Sequence, residues 1–337
     1  PKNHKMKKRF YLLFLCLMAV FCTSVQSWAV VRYVNINVSG GTGDGLSWPN
    51  AYNNLQAALT AAQNGDEIWV AKGTYYPTAD ASGNLAPADV RTKTFVMKNG
   101  VAIYGGFVGN EDANYDLSLR NFTSNQTILS GDIDGTPDVV TGSGSTLSIS
   151  GNGSNAYHVF SNASGLTNTA ILDGFTVSGG NANGTDPHHR GGGMVNDGSG
   201  AGNFCSPTIR NCNFTHNNAS SGGGGIYNRG SNGNSSPQMS NCTFLANIAG
   251  VYGGGISHVG TGTTSYTNCD FNYNKANVGG AIFYSTGAGN TATHSLLNCN
   301  FTGNAAAYGG AISSGLSYET GTRTVSMTSC TFTDNRA

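Results

Sequence analysis

The sequence is poor in charge. Lys and Arg number 17, Asp and Glu number 17, and together they make up 10% of 337 residues, where a globular domain usually carries about 25%. Without a basic patch there is nothing to draw in phosphates, so nucleic acid is excluded as a partner. Beyond residue 30 the chain lacks any apolar run approaching the roughly 20 residues of a membrane-spanning helix. No histidine recurs with the cysteines at ligand spacing, which excludes a zinc repeat. Disorder is excluded too, because it goes with few aromatics and high net charge, whereas this chain has 10% aromatics and a formal net charge of zero.

What is abundant is glycine, at 49 residues, about twice the usual share. Asn, Ser and Thr take the place of charged residues. Gly and Asn meet the positive backbone angles of frequent turns, so the composition suits a β-solenoid.

The N-terminus points to export. Lys7, Lys8 and Arg9 follow Met6, Phe10 to Phe21 are almost wholly apolar, and Ser27-Trp28-Ala29 offers small residues before a cleavage point. This is the pattern of a secretory signal peptide over residues 1–29, and its apolar stretch is too short for a membrane anchor. Lipidation at Cys22 is disfavoured by Phe21 in front of it. Cleavage after Ala29 takes five cations and no acid from 17 of each, leaving 12 against 17. A secreted, extracellular or outer-membrane-surface location is expected for the mature, mildly acidic chain.

The C-terminal half repeats. Asn-Cys-x-Phe-x-x-Asn recurs at Cys212, Cys242, Cys269, Cys299 and Cys330, with Phe214, Phe244, Phe271, Phe301 and Phe332 two residues on and Asn217, Asn247, Asn274, Asn304 and Asn335 five residues on. An apolar residue precedes each cysteine by three: Ile209, Met239, Tyr266, Leu296, Met327. A Gly-Gly-(Gly/Ala)-Ile element supplies Ile226, Ile256, Ile282 and Ile312. Cys and Phe two apart share one strand face, so both should point inward, and equivalent residues of successive parallel strands should stack about 4.8 Å apart as ladders. The asparagines are expected at left-handed bends, with amides bonded along the stack. Export permits disulfides, but in-register parallel strands set neighbouring thiols side by side, so a ladder of free, buried thiols is expected. The many Asn-x-Ser/Thr triplets follow from the composition and are assigned no function.

The N-terminal half is less regular. Ala51 to Ala62 reads as a short amphipathic helix with Leu55, Ala58, Leu59 and Ala62 on one stripe, Ser47 or Asn50 as its cap, and the role of closing the open end of the stack. Segments 67–71, 94–97, 101–104 and 127–129 read as strands. Residues 170–196 form a transitional unit, with Asp173 placed where later units have cysteine. The chain therefore divides into 1–29, an irregular 30–190 with its cap, and regular units over 191–337.

Phe271 to Asn274 with Gly279 to Ile282, and Phe301 to Asn304 with Gly309 to Ile312, resemble the repeats of polymorphic outer-membrane proteins. Leu46-Ser47-Trp48, Gly65-Asp66-Glu67-Ile68-Trp69-Val70, Tyr104-Gly105-Gly106-Phe107 and Leu172-Asp173-Gly174-Phe175 are similar to segments of the same group. The resemblance, over residues 32–337, is to secreted bacterial proteins of the pectate-lyase-like superfamily. It implies an all-β, right-handed parallel β-helix, a single-stranded solenoid with a short N-terminal capping helix. For activity it is permissive, since the superfamily holds lyases, hydrolases and adhesins.

No catalytic residue and no cofactor can be assigned from the sequence. Glycoside hydrolysis needs two carboxylates facing one groove, and from residue 201 onward the acids are Asp270, Glu319 and Asp334, at unrelated repeat positions. Asp132, Asp134 and Asp138 are candidate metal ligands, for which turn-forming acids beside Gly135 are the alternative. Asp173 and the loop Asp186-Pro187-His188-His189-Arg190 complete the set of groups that could share a groove. The paired aspartates of polygalacturonases and a recurring acidic calcium cluster are both absent. The expectation is a structural or adhesive rod that contacts polysaccharide or cell-surface components, the alternative a polysaccharide lyase or glycoside hydrolase acting on the N-terminal units. Because Ala337 stops short of the next Gly-Gly strand, further units are expected to follow.

Overall fold

The computed structural model describes residues 29–287, 290–315 and 320–337. The expected signal peptide over 1–29, all but its last residue and including Cys22, and Glu319 lie outside them. The fold is all-β, with long parallel sheets and one α-helix. Most layers contribute a strand to each of three sheets, and within those sheets the strands pair in parallel with their equivalents one layer before and after. The first sheet has nine strands and runs from Val31–Val34 through Ile171–Asp173 and Thr208–Arg210 to Thr322–Thr328. The second has eight, from Gly73–Tyr75 to Thr331–Thr333, and the third six, from Phe160–Asn162 to Ile312–Ser314. Such layering is what a β-helix requires.

Inward side chains form the expected ladders. Phe214, Phe244, Phe271, Phe301 and Phe332 stack ring on ring with centroids 5.2, 4.9, 4.8 and 4.7 Å apart and planes within 9° of parallel, the strand spacing of a sheet. Met194, Ile226, Ile256, Ile282 and Ile312 pair in register on the third sheet. One apolar column runs from Val34 and Leu55 to Phe301. A second, smaller cluster lies on the outer face of the first sheet, where Tyr33, Trp69 and Tyr104 stand side by side under Trp48.

The cysteines from Cys205 to Cys330 are all free thiols. Cys212, Cys242, Cys269 and Cys299 are buried, and each thiol of the ladder donates to the carbonyl two residues back, as Cys212 Sγ does to Arg210 O at 3.2 Å. Burial pushes the Cys212 thiol up to about 12, which leaves it inert as a nucleophile.

Four expectations need correction. The asparagines five residues after each cysteine are not the left-handed ones. Positive φ falls one residue earlier, at His216, Ala246, Tyr273, Gly303 and Asp334, and on the asparagine before the cysteine, at Asn211, Asn241, Asn268 and Asn298. This turns Asn217, Asn247, Asn274 and Asn304 fully into the core, where each Nδ2 donates to the Oδ1 of the next repeat and to a backbone carbonyl of the preceding one.

Asp173 does not take the cysteine position either. It lies in register with Arg210, and Phe175, with 2% exposure, fills the place of Cys212, because Gly174 (φ +89°) makes the left-handed bend that Asn211 makes later. The helix is shorter than expected, Leu55–Ala61, with Asn54 as its cap accepting from Ala57 N at 2.8 Å. Residues before it are held extended because Tyr52 exchanges backbone bonds with Tyr33 and Asn35, while Trp48–Asn50 forms a separate 3₁₀ turn. Residues 94–97 touch the third sheet through a single bridge, Phe95 to Phe160, and form no regular strand.

Candidate functional site

Chemistry-bearing side chains concentrate where the repeat is irregular, and they fall into three places. The first is on the outside of the first sheet. The carboxylate of Asp173, 1% exposed, meets Arg210 Nε at 2.6 Å and Arg120 Nη2 at 3.1 Å, and accepts from Asn211 Nδ2 at 2.7 Å. Asp173 is thus committed to structure, with no bond to the other acids or to the 186–190 loop.

Arg120 carries a feature the sequence did not announce. Its guanidinium lies 4.9 Å from the Tyr104 ring and 5.1 Å from the Phe122 ring. Phe122 lies flat across Gly106 and Gly174, where any side chain on either glycine would begin within 2.7 Å of the ring. The ring, 37% exposed, walls one end of a groove of about 520 Å³ whose other walls include Gln126, Thr176, Asn211, Asn213 and Asn241. The lining offers amide and hydroxyl groups with no carboxylate or cation. The asparagine amides form a chain along the stack, Asn298 to Asn268 to Asn241 to Asn211, each Nδ2 on the preceding Oδ1 at 3.1 to 3.3 Å, ending on Asp173.

The second place holds the candidate metal ligands. Asp132, Asp134 and Asp138 follow the strand Thr127–Ser130. Asp138 accepts from Asn155 Nδ2 at 3.0 Å, and desolvation, with repulsion from Asp132 and Asp134, pushes its carboxyl up to about 6. Asp132 is also raised, by desolvation and by Asp134. Asp134 is exposed and lowered, chiefly by the Thr136 backbone N–H it accepts from, as a turn acid does. Among the described residues no three His, Cys, Asp or Glu side chains converge to hold a metal ion.

The third place is the 186–190 loop. His158 is buried, and burial pushes it down to about 4, so its imidazole is neutral. Its Nδ1 faces the carbonyl of Gly191 at 2.9 Å, and a carbonyl only accepts, so Nδ1 carries the proton and Nε2 accepts from His188 Nδ1 at 3.0 Å. His188 is lowered by desolvation as well, and its own Nε2 is therefore a lone pair. Tyr157 stacks on His188 at 4.7 Å, Arg91 covers the other face of Tyr157 at 4.1 Å, and the Tyr157 hydroxyl donates to Asp89 at 2.9 Å. His189 Nδ1 stands 3.6 Å from Asp186, and Arg190 is engaged with the Tyr227 hydroxyl at 3.1 Å.

The second and third places are neighbours: Asn155, which binds Asp138 through its side chain, accepts Arg91 Nε on its backbone carbonyl at 2.7 Å. Sequence reasoning names His188 and the acids but misses Asp89, Arg91, Tyr157 and His158, because nothing local marks residues brought together from 30 to 68 positions apart. No family model, no curated protein and no solved structure matches the chain.

Proposed function

We propose that the stacked sheets wind as a right-handed, single-stranded β-helix of the pectate-lyase-like superfamily, and that the chain is an exported, surface or secreted rod that binds glycans. The observation that carries the reading is the Phe122 groove. A partly exposed aromatic ring in a groove lined by amides and hydroxyls, with no charged side chain in the lining, matches the apolar faces and hydroxyl edges of a neutral sugar. Charge scarcity along the regular repeats fits the same ligand class. The test is binding of a panel of neutral and acidic polysaccharides by the wild type and Phe122→Ala. The expected outcome is binding of neutral chains, weakened about tenfold by the substitution, or 1.4 kcal/mol. Binding unaffected by Phe122→Ala, or confined to acidic chains, overturns it. Export is tested separately by expression in a bacterial host and sequencing of the mature N-terminus, expected at Val30.

A second reading rests on His188. A lone pair fixed by a buried partner histidine is the arrangement of a general base, and the aromatic, cationic and acidic groups around it could hold a sugar. In this reading the N-terminal units cleave polysaccharide, and His188→Ala abolishes product release while leaving binding intact. No product from folded protein across the panel removes it.

A further inference from the structure

Besides the ladder of Asn217 to Asn304, the interior of the stack carries a second polar line, on the third sheet. Asn162 Nδ2 donates to Asn196 Oδ1 at 2.9 Å, and Asn196 Nδ2 to Asn228 Oδ1 at 2.9 Å. In the next two layers the same register position is His258 and then Tyr284, and the amide ladder stops. Asn228 Nδ2 has no acceptor within hydrogen-bond distance. Neither do the two ring nitrogens of His258, Nε2 of His294 or the hydroxyls of Tyr266 and Tyr284 have a well-aligned partner there, although the two tyrosine hydroxyls approach each other and the His258 ring approaches the backbone of Gly260 and Thr261. All five side chains have 0% exposure. They form one group, with the His294 ring 4.0 Å from Tyr284 and 4.7 Å from His258.

The interruption has a cause in the backbone. First-sheet strands lengthen here, from Thr208–Arg210 and Gln238–Ser240 to Gly262–Thr267 and Thr291–Leu297. The short corner strands Phe204–Cys205 and Asn234–Ser235 have no counterpart in the later layers. The cross-section therefore changes between layers: the longer strands add the inward positions Gly262 and Thr264, then Ala292 and His294, of which Gly262 and Ala292 supply almost no side chain.

A neutral imidazole carries one donor and one acceptor, and an amide NH₂ and two hydroxyls add further donors. Water alone meets both needs in one molecule, and folded proteins bury about one water for every 27 residues at such sites. A metal cation fits less well, because the group offers two imidazoles and no carboxylate, and among the described residues no three His, Cys, Asp or Glu side chains converge. We infer that Asn228, His258, Tyr266, Tyr284 and His294 enclose ordered water at this junction, a buried site that stands in for the interrupted amide ladder.

A crystal structure showing ordered solvent, with anomalous data, tests this. Expected is at least one solvent peak within about 3.2 Å of two or more of the six atoms. No peak there, or one that scatters at a transition-metal edge, overturns the inference, the second outcome making this a metal site. Oxygen-17 relaxation dispersion on the protein and on His258→Asn is the independent arm. An amide at that position can accept from Asn228 Nδ2 and continue the ladder, so the count of long-lived internal waters should fall by one or more. An unchanged count in folded variant overturns the inference, and should the variant fail to fold, the crystallographic outcome decides.

Discussion

The two halves of the molecule stack on the same three sheets but hold together differently. Over residues 191–337 each repeat templates the next: Phe on Phe, Ile on Ile, and Asn217 through Asn304 bonded amide to amide inside. Over residues 30–190 equivalent positions differ from layer to layer, and long-range polar contacts tie the layers together instead. Arg32 meets Asp66 at 2.7 Å, Arg120 and Arg210 share Asp173, and Arg91 reaches the carbonyls of Asn155 and Asn181. Identical neighbours make a stable rod that needs no charge. Departures from identity admit ionisable groups, and with them the His188 and Phe122 sites.

This contrast can be broken at either end. Phe244→Ala should produce the largest effect, a loss of about 4 kcal/mol in unfolding free energy by denaturant titration, because the cavity opens between two stacked rings. A loss below about 1 kcal/mol would mean the ladder is not what holds the repeats. Asp173→Asn should cost about 3 kcal/mol, since Arg120, with a side chain 5% exposed, would be left buried without its counter-ion. If instead it is neutral, the irregular half does not depend on its ion pairs.

Acid should act next. Burial holds His158 and His258 at about 4, below the usual imidazole value of about 6.5. The unfolded chain then binds more protons between those values, so stability is full above about 6.5 and is lost as pH falls through 4, by about 2 kcal/mol per imidazole at pH 5. Asp138, raised to about 6, opposes this, since its contribution weakens as pH rises through 6. Two imidazoles outweigh one carboxyl, so the melting temperature should fall from pH 7 to pH 5, and more steeply in Asp138→Asn. A melting temperature that climbs on acidification would place the histidines elsewhere. Smallest of all, Cys242→Ala should cost about 1 kcal/mol, without changing under oxidant. A larger loss under oxidising conditions would indicate a disulfide.

Much of the regular half was legible from its spacing. Cys212 and Phe214, two apart, could only share a face, and the recurrence of both fixed the ladders. The assignment failed where one residue's backbone angle decides the outcome. Asn211 and Asn217 are the same amino acid six positions apart, yet one sits at a left-handed bend and the other is fully buried without a positive φ. Composition cannot distinguish them, because the positive angle falls at a position held in turn by His216, Ala246, Tyr273, Gly303 and Asp334, which share no common preference for it. Asp173 was misplaced by two register steps for the same reason: Gly174 made the bend.

By itself, then, the sequence determined the parallel layering, the inward Phe, Ile and Cys ladders, the free thiols and the stripe of the short helix, since each follows from periodicity and strand geometry along the chain. Tertiary structure alone decided that Asp173 is tied up by Arg120 and Arg210, that Phe122 walls a neutral groove, and that His158 fixes the tautomer of His188. Those pairings join residues 30 to 53 positions apart across layers, and no local pattern encodes which loops a stack will bring together.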